Sequence, residues 1–192
     1  MKTMSGTRNL VLCGMCAAIT CILAPLSVPL AGGVPLSPAT FSVMLAGVLL
    51  GGSRGAASQA VYLLLGAVGL PVFAGWTGGI GLIAGMTGGF LIGYVPLAFF
   101  SGAVYHRLGR GKPFPVRIGA MVLAMLLGTV VLYALGTAWF MVYTKMSLTA
   151  SLTACVLPFL PGDFLKMAGV ALVAPPIENA LRHAAPESAA SM

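Results

Sequence analysis

The chain has 192 residues, of which 59% are hydrophobic and only 7% charged, against about a quarter charged in an ordinary soluble domain. A mean hydropathy of +1.03 leaves too little charge to cover a soluble surface, which excludes a soluble enzyme, a nucleic-acid-binding domain and a disordered chain. The net charge of +7 does not restore a nucleic-acid role, because the cations are scattered through apolar sequence rather than gathered on one polar face. What remains is an all-α integral membrane protein, one compact bundle with little mass outside the bilayer.

A helical span needs roughly 20 apolar residues. The first runs from about Asn9 to Leu26. Its basic flank, Lys2 and Arg8, imitates a secretory signal, but no Ala-x-Ala site follows and apolar sequence continues, so it is read as a retained span. Residues 27–38 (SVPLAGGVPLSP) form an uncharged Pro/Gly loop expected to tuck into the mouth of the bundle. Ala39 to Gly51 predicts a short second span, residues 51–55 a tight polar turn, and Ala56 to Gly69 a third span. A second uncharged loop, residues 70–81, precedes a fourth span from about Leu82 to Tyr105. The fifth covers about Ile118 to Val142, followed by a semi-polar stretch, residues 143–157. Pro158 and Pro161 introduce the sixth, from Gly162 to about Leu181, which Pro175 and Pro176 should kink or end. The expected organisation is an N-terminal segment 1–8, one six-helix membrane domain over 9–183, and a disordered tail 184–192.

Six spans put both termini on one side. That side then carries Lys2, Arg8, Arg54, Arg107, Arg110, Lys112, Arg117 and Arg182, while the other carries only Lys145. By the positive-inside rule both termini face the cytoplasm and the uncharged loops face outward.

Only three residues are acidic. Glu187 lies in the tail, and Glu178 has Arg182 four residues on, a spacing that suits a structural pair. Asp163 and Lys166 differ, because they fall at membrane depth, where an ionisable group costs about 2.5–3.5 kcal/mol on insertion scales. Asp163 could simply cap the helix after Pro161-Gly162, with Lys166 its i+3 partner. Alternatively the two form a polar ligand site, the carboxylate accepting ligand N–H groups and the ammonium clamping a carboxylate.

Glycines crowd residues 75–93, where they either pack helices closely or let a ligand approach backbone. The Walker pattern is absent. Phe73, Trp76 and Tyr94 lie among these glycines and could wall an apolar ligand or form an interfacial belt. Gly14 and Ala18 have the small-xxx-small spacing of a tight helix contact, whose partner the sequence does not name. Cys13-x-x-Cys16 lacks a second pair or a His cluster to complete a metal site. His106 and His183, beside Arg107 and Arg182, read as interfacial flanks.

The ordered set GVPLSPATFSVMLAGVLLGGSRGAASQAVYLLLGAVGLPVFAG, GMTGGFLIGY and LPFLPGDFLKMAGVALV resembles the BioY family, the biotin-specific substrate-binding subunits (S components) of energy-coupling factor transporters. The likeness covers roughly residues 8–180. It implies six helices with cytoplasmic termini in a bacterial cytoplasmic membrane, and high-affinity capture of biotin beneath the outer loops without covalent chemistry or a cofactor. The Pro-Gly-Asp-x-x-Lys element implies that Asp163 meets the ureido N–H groups and Lys166 the valerate carboxylate. Phe73, Trp76 and Tyr94 would pack on the bicyclic ring, and Thr77, Thr87 and Gln59 are further polar candidates. Some members supply a second cation for the carboxylate from around the fourth span, but no Arg or Lys lies between Arg54 and Arg107. The implied partners are membrane lipid, a transmembrane coupling protein docking on Gly14 and Ala18, and two cytoplasmic ATPase subunits; no nucleic acid is involved. The rivals are a solitary biotin carrier, which no sequence feature separates from the S component, an intramembrane enzyme, which would need a nucleophile–base pair or clustered carboxylate and His, and an assembly factor, which would leave the deep Asp–Lys pair unexplained.

Overall fold

The structure, a computed structural model, describes residues 6–28 and 33–183, with only the backbone at Arg182. The expected N-terminal segment up to residue 5, part of the first loop and the disordered tail lie outside the described residues. The described chain is helical: α1 Gly6–Leu23, α2 Ala39–Leu50, α3 Gly52–Ala67, α4 Ile80–Ala84, α5 Gly88–Leu108, α6 Phe114–Thr144, α7 Leu148–Cys155 and α8 Leu160–His183. Four of these are long and apolar enough to cross a membrane, namely α1, α5, α6 and the Leu160–Leu181 part of α8. The second and third expected spans correspond to α2, with 12 residues, and α3, with 16, both shorter than the roughly 20 residues of an average span. α6, at 31 residues, is about 46 Å long, well beyond the ~30 Å hydrocarbon core.

Boundaries moved where glycine or proline chemistry competes with apolar length. The turn expected over 51–55 shrinks to Gly51, at φ +87°, and Ser53 and Arg54 enter the first turn of α3. The fourth span breaks into α4 and α5 across residues 85–87. The semi-polar stretch folds as α7, capped by the Ser147 hydroxyl, which accepts from the Ala150 N–H. α8 continues through Pro175 and Pro176 to His183, so the helix does not end at the two prolines. Proline inside a helix is tolerated at membrane depth where neighbouring helices and local adjustment satisfy the freed carbonyls, and Pro175 is buried against the bundle.

α5 pairs extensively with α6, α3 and α2. The α2–α5 crossing depends on missing side chains. A Cβ on Gly47 would intrude on the Ala98 carbonyl oxygen, and one on Gly102 on the Gly47 carbonyl. Gly47→Ala is therefore expected to destabilise the fold by about 1–3 kcal/mol, the usual range for overpacking. Thermal unfolding in detergent measures this, and a variant as stable as the parent would refute so close a crossing.

The two ends of the bundle differ. At one, the loops after α1 and α3 come together, with the Gly75 N–H donating to the Pro25 carbonyl at 3.2 Å. At the other lie most of the cations. Arg8 donates to the Leu181 carbonyl, and His106 Nε2–H to the Val48 carbonyl at 2.9 Å, so this histidine ties α5 to α2 rather than merely flanking an interface. Glu178 is buried, ion-paired to Arg117 of α6 and hydrogen-bonded by the Tyr105 hydroxyl of α5 at 2.9 Å. Among the described side chains its ion-pair partner is thus 61 positions away; Arg182, the neighbour expected from spacing, lies outside them.

Candidate functional site

α8 begins at Leu160, so Asp163 lies inside its first turn rather than at a cap. Its own N–H already bonds the Phe159 carbonyl at 2.9 Å, and its carboxylate turns into the bundle. An acid there is favoured by the positive end of the helix dipole. The residue is 4% exposed. Oδ1 accepts from Lys166 Nζ at 3.0 Å and from the Thr40 hydroxyl at 3.3 Å, and Oδ2 accepts from the Tyr133 hydroxyl. Lys166 Nζ also donates to Thr40 Oγ1 at 2.9 Å. Three helices, α2, α6 and α8, therefore converge on one charge pair.

This knot lines a narrow recess of about 50 Å³ shared with Tyr94, Cys155 and Phe159. Val34, Pro35, Ser37, Phe90 and Tyr94 border both the recess and a chamber of about 510 Å³ under the loops. That volume suits a small organic ligand, for which pockets of ~300–1,000 Å³ are usual. The wall is largely apolar and aromatic. Phe73 is seated over Gly66, whose missing side chain makes the space for its ring. Tyr62 packs edge-on to Phe73 at 5.6 Å and tilted against Tyr94 at 6.2 Å.

Of the residues singled out in the sequence, Phe73, Tyr94, Thr77 and Thr87 line the chamber, and Asp163 and Lys166 the recess. Trp76 does not join them. Its backbone sits at φ +61° in the turn closed by the Phe73–Thr77 bridge, and the side chain is 63% exposed. Gln59 is fully buried, donating to Ser58 Oγ at 3.1 Å, and lines neither space. Gly14 and Ala18 are exposed on α1, with nothing within 4 Å of a Cβ built on Gly14, so this small-residue face has no partner among the described helices. The glycines divide by role. Gly88 and Gly89 admit Trp139 of α6, whereas Gly75 and Gly79 have positive φ in the loop.

Sequence reasoning missed Thr40, Tyr133, Tyr62 and Tyr143, all of which line the two spaces. Thr40 and Tyr133 carried a usable signal, being hydrogen-bonding groups on otherwise apolar spans, but only a fold tells which deep hydroxyls face the acid.

These features define a multi-pass helical membrane protein built around a small-molecule chamber with one buried charge pair at its side. The family is narrower. The model of the BioY family matches residues 1–183, and the chain belongs to that family. It is 40% identical over 176 residues to "Biotin transporter BioY" of Rhodobacter capsulatus, covering 87% of this chain and 91% of that one. It is 36% identical over 167 residues to "Probable biotin transporter BioY" of Pyrococcus horikoshii, covering 87% and 94%. The family is thus one of transporters and not of enzymes. The fold matches a crystal structure of the S-component for biotin from an ECF-type ABC transporter, with a TM-score of 0.81 over 93% of this chain and 95% of that one, at 24% identity.

Proposed function

We propose that this chain captures biotin in the chamber and recess and delivers it across a bacterial cytoplasmic membrane as the substrate-specific subunit of an energy-coupling factor transporter. The observation that carries the reading is the buried Asp163–Lys166 pair opening beside a chamber of about 510 Å³. Such a pair is too costly at membrane depth to be incidental, and it supplies an acceptor and a donor within 3.0 Å of each other.

That closeness bears on the pose. Two groups in mutual contact present one joint edge rather than grips for two distant ends of a ligand. A cyclic urea has such an edge, with N–H and C=O side by side. We place it in the recess, its N–H on Asp163 and its carbonyl on Lys166, and the bicyclic body in the chamber against Phe73 and Tyr94. The valerate carboxylate then reaches toward the chamber hydroxyls of Thr87 and Tyr143, in place of the second cation that the sequence lacks. Expected results follow for Lys166→Ala, titrated with biotin and with the uncharged biotin amide. Both ligands should weaken alike, by about tenfold or more for a lost charge-assisted hydrogen bond. If only biotin weakens, Lys166 holds the carboxylate as the family resemblance implies. If the parent chain binds neither ligand, the biotin reading itself fails.

The basic end carries Arg8, Arg54, Arg107, Arg110, Lys112 and Arg117, and the chamber end Lys145 and the paired Lys166, which supports six crossings with the termini in the cytoplasm and the chamber facing out. The exposed Gly14 and Ala18 face supports docking of a transmembrane coupling protein on α1. The chain has no Walker motif, so the ATP-driven step belongs to two separate cytoplasmic ATPase subunits.

A further inference from the structure

Hydrogen-bonding valence in the recess can be counted. A carboxylate offers about four acceptor positions and an ammonium three donors. On Asp163, Lys166 and Thr40 occupy two positions at Oδ1, and Tyr133 one at Oδ2. On Lys166, Asp163 and Thr40 take two of the three N–H groups. The remainder is one acceptor position on Asp163 and one N–H on Lys166, and both side chains line a recess of about 50 Å³, too small for a bicyclic ring system.

We infer that Tyr133 and Thr40 are specificity-determining residues: by filling the other valences of the pair, their hydroxyls leave a site that takes one donor and one acceptor, the edge of a neutral urea or lactam. A carboxylate brings no donor, and a guanidinium brings donors only and meets the Lys166 charge. Neither hydroxyl needs to touch the ligand, so both are positioning residues. Their role is to make the pair read the ligand's donor–acceptor pattern rather than its charge. This inference rests on the biotin reading above, and the test separates the two.

The probes are biotin and its cyclic guanidine analogue, 2-iminobiotin, in which N–H replaces the urea oxygen and which is cationic at neutral pH. Both are titrated into the purified chain in detergent. The parent should prefer biotin by at least about tenfold, the worth of one charge-assisted hydrogen bond. In Tyr133→Phe the ring stays, but one more position on Asp163 becomes free and its negative charge is less shared. The guanidine's extra donor then gains a partner, and the ratio of biotin to guanidine affinity should fall by about tenfold. The ratio is the readout, because a merely structural Tyr133 would change both affinities together and leave the ratio unmoved, which would overturn the inference. Equal affinity of the parent for the two ligands would also overturn it, and that measurement holds even if Tyr133→Phe does not fold. A parent that binds neither ligand would instead sink the biotin reading.

Discussion

Asp163→Ala is expected to lower biotin affinity by about 100-fold or more, since truncating one partner of a buried, hydrogen-bonded charge pair costs roughly 2–5 kcal/mol. The loss has two sources. In the proposed pose the ligand's N–H loses its acceptor, and the Lys166 ammonium, with a side chain only 15% exposed, loses its counter-charge, as do the Tyr133 and Thr40 hydroxyls their acceptor. Asp163→Asn keeps one acceptor oxygen and the shape but not the charge, so it should fall between parent and alanine variant. Calorimetric titration in detergent, on protein that elutes as a single species, gives the three affinities. An alanine variant within twofold of the parent would remove Asp163 from the site.

The second large effect concerns stability rather than binding. Glu178→Ala leaves the Arg117 guanidinium, with a side chain 13% exposed, facing the Tyr105 hydroxyl and no anion. Breaking a buried pair from one side costs about 3–5 kcal/mol, so a marked drop in the thermal unfolding midpoint in detergent is expected. Biotin affinity of the folded protein should hold, because Glu178 lies 15 residues beyond Asp163 on the same helix, about 22 Å at 1.5 Å per residue. Adding Arg117→Met to the Glu178→Ala variant should recover much of the loss, since an apolar replacement of both partners is often neutral. Unchanged stability of the single variant would mean that the pair does not hold α5, α6 and α8 together.

The contrast between these two acids shows how far local pattern reaches. Asp163 and Lys166 are three residues apart on one helix, so their pairing follows from helix geometry alone. Glu178 is paired with Arg117 on α6, a cation 61 positions away that no local pattern names. Short-range spacing names candidate partners along one helix, but only packing brings a cation from another helix within reach of a buried acid. The aromatics divide in the same way. Phe73 and Trp76 are three residues apart in one Gly-rich loop, but Phe73 is buried over Gly66, while the left-handed backbone at Trp76 accompanies an exposed side chain. Turn geometry decided that difference, and composition carries no trace of it.

Hydrophobic length and the scarcity of charge determined by themselves that this is a helical membrane protein, with cations gathered toward one end and one ion pair at depth. These are one-dimensional quantities, because the cost of a charge or an unpaired backbone group in lipid does not depend on which helix is the neighbour. Tertiary structure alone decided that Thr40 and Tyr133 close on that pair, that Gln59 and Trp76 stay out of the chamber, and that α8 continues through two prolines. Each of these depends on contacts between residues far apart in the chain, and the apolar background that makes the spans so legible is the same for residues that face lipid and for those that face a ligand.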